Sequence, residues 1–372
     1  MEKPTPVRFI SLLLIAALAS LPRAQAADIR HAQNFEITDH GTHRILSVSN
    51  AFRNTTRIDH YALVPKEREM PRLPKGLTVV RTPVERIVAM ETVQIGYLEA
   101  LGHLDSIIAA ATVDFISHPD VRLGLADGTI QAVQTGQTLD IEKLLLLQPD
   151  LILSSISGDP AFDLPPKLER TGLPVVRSAG YMERHPLARA EWIKFMAAFL
   201  EEDERANQIF DAVEKRYQEL TRLTEFTDEK PTVLCGAPYS GVWHVPGGDS
   251  YTAQTIRDAG GHYLWSEDAS RGGIPLDTER VFLRAAKADY WINPSHYRSV
   301  SALLAADKRF GKFAAAKNGM VFNNTRQAAP GGGNAIWERG IIRPDDVLAD
   351  MIHMFHPELL PEHEFVFYET LK

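Results

Sequence analysis

A single cysteine, Cys235, in a chain of 372 residues excludes an intrachain disulfide framework and any cysteine-rich zinc site. The signatures of the commoner enzyme chemistries are also missing. There is no Gly-x-Ser-x-Gly elbow, no phosphate loop ending in Gly-Lys-Ser/Thr and no His-Glu-x-x-His. The runs Gly247-Gly248 and Gly331-Gly332-Gly333 are not dinucleotide fingerprints, because neither lies between a strand and a helix at the required spacing. Positive charge is not in excess: Lys+Arg 40 against Asp+Glu 48 gives a net charge of −8, so nucleic acid is not an expected partner. What remains is 44% hydrophobic and 24% charged, an ordinary globular composition with enough chain for one large domain or two lobes.

The N-terminus carries the plainest local signal. Lys3 and Arg8 precede an apolar run from Phe9 to Leu21, which Pro22 and Arg23 close before Ala24-Gln25-Ala26. A basic start, a short apolar core and an A-x-A site describe a cleavable secretory leader. The run falls short of the ~20 residues that span a bilayer, and no other segment is long and apolar enough to do so. With no cysteine near Ala26, a thioether lipid has nowhere to attach, so a soluble protein of a periplasm-like space is expected.

Residues 27–80 read as a small β-rich extension. Phe35–Ile37, Arg44–Val48 and Ile58–Val64 look like strands around an Asp39-His40-Gly41 turn, and Pro65, Pro71 and Pro74 then break regular structure. The four histidines here (His31, His40, His43 and His60) fit no compact ligand spacing and read as surface residues. From Arg81 the pattern alternates. Arg86–Met90 is a short buried strand, Thr92 caps a helix that Gly102 stops, and further strands follow at Ser106–Ala111, Asp150–Ser154 and Pro174–Val176. Such alternation implies a mainly parallel sheet with helices on both faces.

Pro186–Leu200 and then Glu202–Leu223 are helical. The second has Ala206, Phe210, Val213, Tyr217 and Leu220 on one face; it would be roughly 33 Å long at 1.5 Å per residue, suited to a rod between two lobes. After Pro231 the alternation restarts, with Cys235 on a strand as a buried small side chain. The two halves also echo one another. Gly102-His103-Leu104 recurs as Gly261-His262-Tyr263-Leu264, and Leu139-Asp140-Ile141-Glu142 recurs as Leu276-Asp277-Thr278-Glu279. The expected organisation is therefore a leader (1–26), the extension (27–80), an N-terminal α/β lobe (81–185), connecting helices (186–225) and a C-terminal α/β lobe (226–372). The fold class is α/β: two Rossmann-like lobes joined by one long backbone helix, with a small N-terminal β extension.

In such folds ligands sit at the carboxyl ends of strands and between lobes. The loops at those ends supply Phe115, Ser155, Tyr239, Trp243 and Trp337 among small polar residues and glycines, which suits a large ring-containing ligand. Trp243 reads equally well as the core residue of a strand. His353-x-x-His356 reads as a pair of helix-end histidines favoured by the dipole.

Taken together, Arg86–Gly102, Leu139–Leu153, the long helix, Gly247–Gly261, Leu276–Ile292 and Trp337–Asp350 resemble the helical-backbone class of periplasmic binding proteins. Members of that class deliver iron-siderophores, haem or cobalamin to ABC importers. The resemblance implies that one glutamate on each lobe, here Glu142 and Glu279, docks on the membrane permease; both also suit the positive end of a helix. Trp337-Glu338-Arg339 resembles a segment lining the second lobe in cobalamin-binding relatives, and Phe115 falls near an aromatic position. Those relatives have first-lobe tryptophans where this chain has about Gln134 and Ser155, which weakens cobalamin. For an anionic ferric siderophore, Arg339, Arg271 and Arg326 are the candidate cations.

The expectation is a monomeric binding protein, not an enzyme. It has no resident cofactor or metal, and it captures a metal chelate (ferric siderophore first, cobalamin or haem next) through Phe115, Ser155, Tyr239, Trp243, Trp337 and Arg339. The alternatives are an exported enzyme using Asp114, Glu91 or Glu338 in the same cleft, or a ligand sensor.

Overall fold

The computed structural model describes residues 25–49, 57–136, 138–155 and 164–372; the segment read as a leader, up to residue 24, and the loop residues 156–158 lie outside them. Two parallel sheets dominate. In the first lobe the strands run in the spatial order Val175–Ser178, Leu151–Ser155, Ile87–Ala89, Ile107–Ala110, Gln131–Ala132, all parallel. In the second lobe the order is His262–Tyr263, Thr232–Cys235, Tyr290–Ile292, Val321–Asn323. There Glu369–Thr370 closes the edge antiparallel. Ile87–Ala89 and Val321–Asn323 are buried throughout and Leu151–Ser155 up to its last residue, as expected of parallel strands covered on both faces. The helix after Ile87–Ala89 spans Thr92–Leu101 and is capped one residue earlier than the sequence suggested, by Glu91. The Gln94 side chain accepts the Glu91 N–H in return, and Gly102 ends the helix in the left-handed region.

The connecting helix runs Asp203–Thr224, 22 residues, and buries Ala206, Phe210, Val213, Tyr217 and Leu220. Its two halves belong to different cores. Ala206 and Phe210 pack into the first lobe's cluster, whereas Val213, Tyr217 and Leu220 pack into the second's. One rigid element thus holds both lobes by hydrophobic burial, which restricts hinge motion relative to lobes joined by flexible strands.

The single helix expected over Pro186–Leu200 is two, Pro186–Ala190 and Trp192–Leu200, broken at Glu191. Every residue from Trp192 to Leu200 is buried, because the N-terminal extension covers the face that would otherwise be wet. That extension is a five-stranded sheet, Gln25–Ala26, Phe35–Asp39, Arg44–Ser49, Ile58–Pro65 and Thr78–Thr82 in that order. Cleavage after Ala26 would remove only its two-residue edge strand. Buried carboxylates pin the segment leading into the sheet. Glu191, fully buried, accepts the backbone N–H groups of Arg30, His31 and Ala32 at 2.9, 2.7 and 2.8 Å, and Lys194 Nζ at 2.8 Å. Glu183 accepts the N–H groups of Gln33 and Asn34 and the indole of Trp192. Phe35 adds an edge contact to Trp192, with centroids 4.8 Å apart. The histidines of this region have ordinary partners: His31 meets Glu214 at 2.5 Å and His60 meets Ser47 at 2.9 Å. Among the described residues no group of three or more His, Cys, Asp or Glu could hold a metal ion, and no helix is long and apolar enough to cross a membrane.

Candidate functional site

Strand order locates the site. In the first lobe it reverses between Leu151–Ser155 and Ile87–Ala89, and in the second between Thr232–Cys235 and Tyr290–Ile292. Crevices open beyond the carboxyl ends of strands at such switch points. At those strand ends stand Ser155 and Glu91 in one lobe, Gly236 and Asn293 in the other. Ser155 Oγ donates directly to Glu91 Oε1. Burial pushes the Glu91 carboxyl up, against the lowering effects of Ser155 and Arg189.

The lobes meet along a seam built from glycine and one carboxylate. Glu338, 1% exposed, crosses to the first lobe and accepts the Ser117 N–H at 2.7 Å and its hydroxyl at 2.5 Å. Burial raises its pKa against those bonds. A Cβ at Gly96 would stand 2.7 Å from the Glu338 backbone, and one at Gly333 would stand 2.8 Å from the Ser117 nitrogen and closer still to the Ile116 carbonyl. Gly333→Ala is therefore expected to wedge the seam, at the cost of about 1–3 kcal/mol that overpacking carries; a lowered urea midpoint checks this. Beside the seam His118 Nε2 lies 3.5 Å from Glu99; the contact raises the histidine and lowers the glutamate. The stabilisation from this pair is lost as pH rises through the histidine's folded value or falls through the glutamate's.

A cavity of about 770 Å³ opens on the second-lobe side of the seam, lined by His296, Arg298, Asn324, Pro330, Gly332 and Trp337 among others. Asn323, fully buried, shapes one wall by donating to the carbonyls of Ser295 and Tyr297 at 2.8 and 2.7 Å. Asn293 and Ser295 there adopt left-handed backbone, φ 54° and 58°, a strained geometry that clusters at functional sites. Asn334 shapes another wall by accepting Ile336 N–H and donating to Asn324 O, which sets the turn that carries Trp337. Two smaller pockets are both lined by Arg189. One of about 50 Å³ also includes Tyr251, Asn293 and Trp337; the other, about 40 Å³, includes Glu91, Gln94 and Tyr97.

Arg189 is the residue that reading the sequence missed. Its carbonyl accepts the Tyr97 hydroxyl of the first lobe at 2.9 Å, and its guanidinium lies over Tyr251 of the second, 4.1 Å from the ring centre. Its Nε and Nη1 are buried with no hydrogen-bond partner, as is Asn293 Oδ1 in the same pocket. Buried donors without partners are costly even on a half-buried side chain, and an anion between the lobes would satisfy them. A signal was present: Arg189, Glu191 and Lys194 are the only charged residues in Pro186–Leu200, too few for a solvated face.

The sequence-derived candidates divide. Trp337, 46% exposed, lines the cavity. Phe115, 63% exposed, follows Asp114, whose carbonyl is 3.8 Å from where a Gly332 Cβ would stand, but it does not itself line these cavities. Ser155 sits at the first-lobe switch point. Trp243 is a correction: it is fully buried, donates Nε1 to Cys235 O at 3.1 Å and packs with Trp291, Phe310 and Phe313. Strand alternation over Val242–Pro246 turns it into the core. Tyr239, 76% exposed, lies on the hairpin whose Gly241 carbonyl accepts Thr278 Oγ1, beside the helix that bears Glu279 and away from these cavities. Arg339 is exposed and bonds Gln327. Arg271 stands 3.9 Å from Asp249, and neither it nor Arg326 lines the three cavities. Glu142 and Glu279 are exposed in the first turns of Ile141–Leu147 and Thr278–Ala285.

Known proteins share this architecture. Over 298 residues, 77% of it, the chain is 26% identical to an uncharacterised lipoprotein of Methanocaldococcus jannaschii, of which it covers 69%. The one cysteine of this chain is Cys235, buried in the second core. A periplasmic haem-binding protein of Pseudomonas aeruginosa superposes with a TM-score of 0.57 at 18% identity, over 78% of this chain and 98% of that one. A protein of an ABC-type Fe3+-hydroxamate transport system of Saccharomonospora viridis does so with 0.55 at 16%, over 74% and 94%. These two likenesses are of fold. The pattern that defines the periplasmic binding proteins matches residues 87–328, from the central strand of one lobe to beyond the Val321–Asn323 strand of the other, and the chain belongs to that family, one of solute-binding proteins and not of enzymes.

Proposed function

We propose that this protein is exported by its N-terminal leader, captures a metal chelate between its lobes and hands it to the permease of an ABC importer. A ferric siderophore is the foremost candidate, with cobalamin or haem next. The observation that carries the reading is Arg189. A half-buried arginine with two buried, unpartnered donors lines the pockets at both switch points, next to a cavity of about 770 Å³ lined by Trp337. Aromatic faces suit the organic shell of a chelate and the cation suits its charge. The proteins of similar fold that handle haem and ferric hydroxamates support the chelate class.

Equilibrium dialysis of the full chain against ferric siderophores, haem and cobalamin tests this. One ligand should be retained at one per chain. Arg189→Gln should weaken an anionic ligand about 10- to 100-fold, since a hydrogen bond to a charged group contributes about 1.5–3 kcal/mol. Retention of none of them would overturn the chelate reading, and chemical conversion of a bound ligand would return the enzyme alternative.

A further inference from the structure

The two helices that bear Glu142 and Glu279 align without a gap in the internal repeat, and the alignment places a leucine four residues past each glutamate. Asp140 caps the first by accepting Lys143 N–H at 2.9 Å, and Asp277 caps the second by accepting Glu279 N–H at 2.8 Å. Leu144 and its counterpart Val281 are fully buried, which sets the rotation of each helix against its lobe. One helical turn after each glutamate stands a leucine on the same face: Leu146 at 85% exposure and Leu283 at 86%. A lone exposed leucine requires no explanation. Two at the same repeat position, each a turn beyond an acid on a different lobe, form a duplicated surface of one chemistry.

We propose that each lobe docks through a two-point contact, Glu142 with Leu146 and Glu279 with Leu283. The leucines enter apolar pockets beside the basic groups that receive the glutamates, on the two related halves of a membrane permease. This rests on the permease reading above and adds what the charges alone do not provide. Surface charge steers encounter and fixes register, whereas burial of an apolar anchor lengthens the lifetime of the complex. The halves are not equivalent. Glu279 is already paired with Arg309, which also holds Asp307 at 2.7 Å, whereas no ion pair to Glu142 is found among the described residues. An exposed pair of this kind contributes little and exchanges readily, so the partner's cation can displace or share Arg309.

The test is binding of the full chain to its permease–ATPase complex in nanodiscs, read as association and dissociation rates, with protein-free vesicles of phosphatidylethanolamine and phosphatidylglycerol in parallel. In the double variant Leu146→Ser/Leu283→Ser, dissociation should quicken at least about tenfold with little change in association, and each single variant should show part of the effect. Glu142→Gln/Glu279→Gln should instead slow association and weaken its salt dependence. Unchanged rates in the leucine variant, with binding lost on charge reversal, would overturn the leucine anchors and leave the permease reading standing. Absence of wild-type binding would overturn that reading and the anchors with it. Leucine-dependent binding to the protein-free vesicles would assign the surface to lipid and overturn the proposal.

Discussion

Reversing both charges, Glu142→Arg with Glu279→Arg, is expected to abolish ligand uptake and leave ligand affinity unchanged. Both side chains are exposed at helix N-termini, and neither lines the cavities between the lobes. An arginine there costs the helix about 0.3–1 kcal/mol against the dipole, and Arg280→Ala, a neighbouring exposed substitution, controls for general damage to that surface. Against a basic partner, each reversal replaces attraction by repulsion. Loss of one member of a docked charge pair costs about 2–5 kcal/mol, so two reversals should reduce docking by well over a hundredfold. Uptake of radiolabelled ligand by cells and dialysis of the purified variant separate the two effects. A fall in ligand affinity to match the fall in uptake would remove these residues from the docking surface.

The second large effect is on stability. Glu191→Gln keeps the side-chain volume but takes a charge from three backbone N–H groups and from Lys194, itself 5% exposed. A buried pair broken on one side typically costs about 3–5 kcal/mol, and the urea midpoint should fall accordingly. Amide exchange at Arg30, His31 and Ala32 should speed up, because their acceptor is weakened. The pH dependence has a definite sign. Burial raises the Glu191 carboxyl, but the N–H donors and Lys194 outweigh it and the net shift is downward. Its stabilising contribution is therefore present above the unfolded value, about 4.3, and is lost as pH falls through the folded one. The gap between wild type and variant should close in acid. An unchanged midpoint at neutral pH would mean that Glu191 does not clamp the extension.

Periodicity made the scaffold legible. The spacing of Ala206, Phe210, Val213, Tyr217 and Leu220 placed the connecting helix to within a residue, and Gly102 stops its helix because only a residue tolerant of left-handed backbone continues the chain there. The internal repeat pairs Glu142 with Glu279 from the sequence alone. Contacts distant in sequence left weaker traces. Which face of Val242–Pro246 is inner depends on pairing with Gly273–Asp277, so the alternation that made Trp243 ambiguous resolves only in three dimensions. The grip of Glu183 and Glu191 on residues 30–34 spans about 150–160 positions, and no local pattern announces it. Arg189 is similar: a short helix places it between the lobes, while in sequence it is one arginine between two alanines.

The central claim is that the chelate seats against Trp337 between the lobes, and intrinsic fluorescence tests it most directly. Trp192, Trp243, Trp265 and Trp291 are 1%, 0%, 7% and 0% exposed, whereas Trp337 is 46% exposed. Titration with ferric siderophore, haem and cobalamin side by side should give saturable quenching by one of them, at micromolar affinity or tighter. In Trp337→Phe the quenching should shrink and the affinity weaken. Flat traces with all three ligands, or an identical titration in Trp337→Phe, would contradict the account.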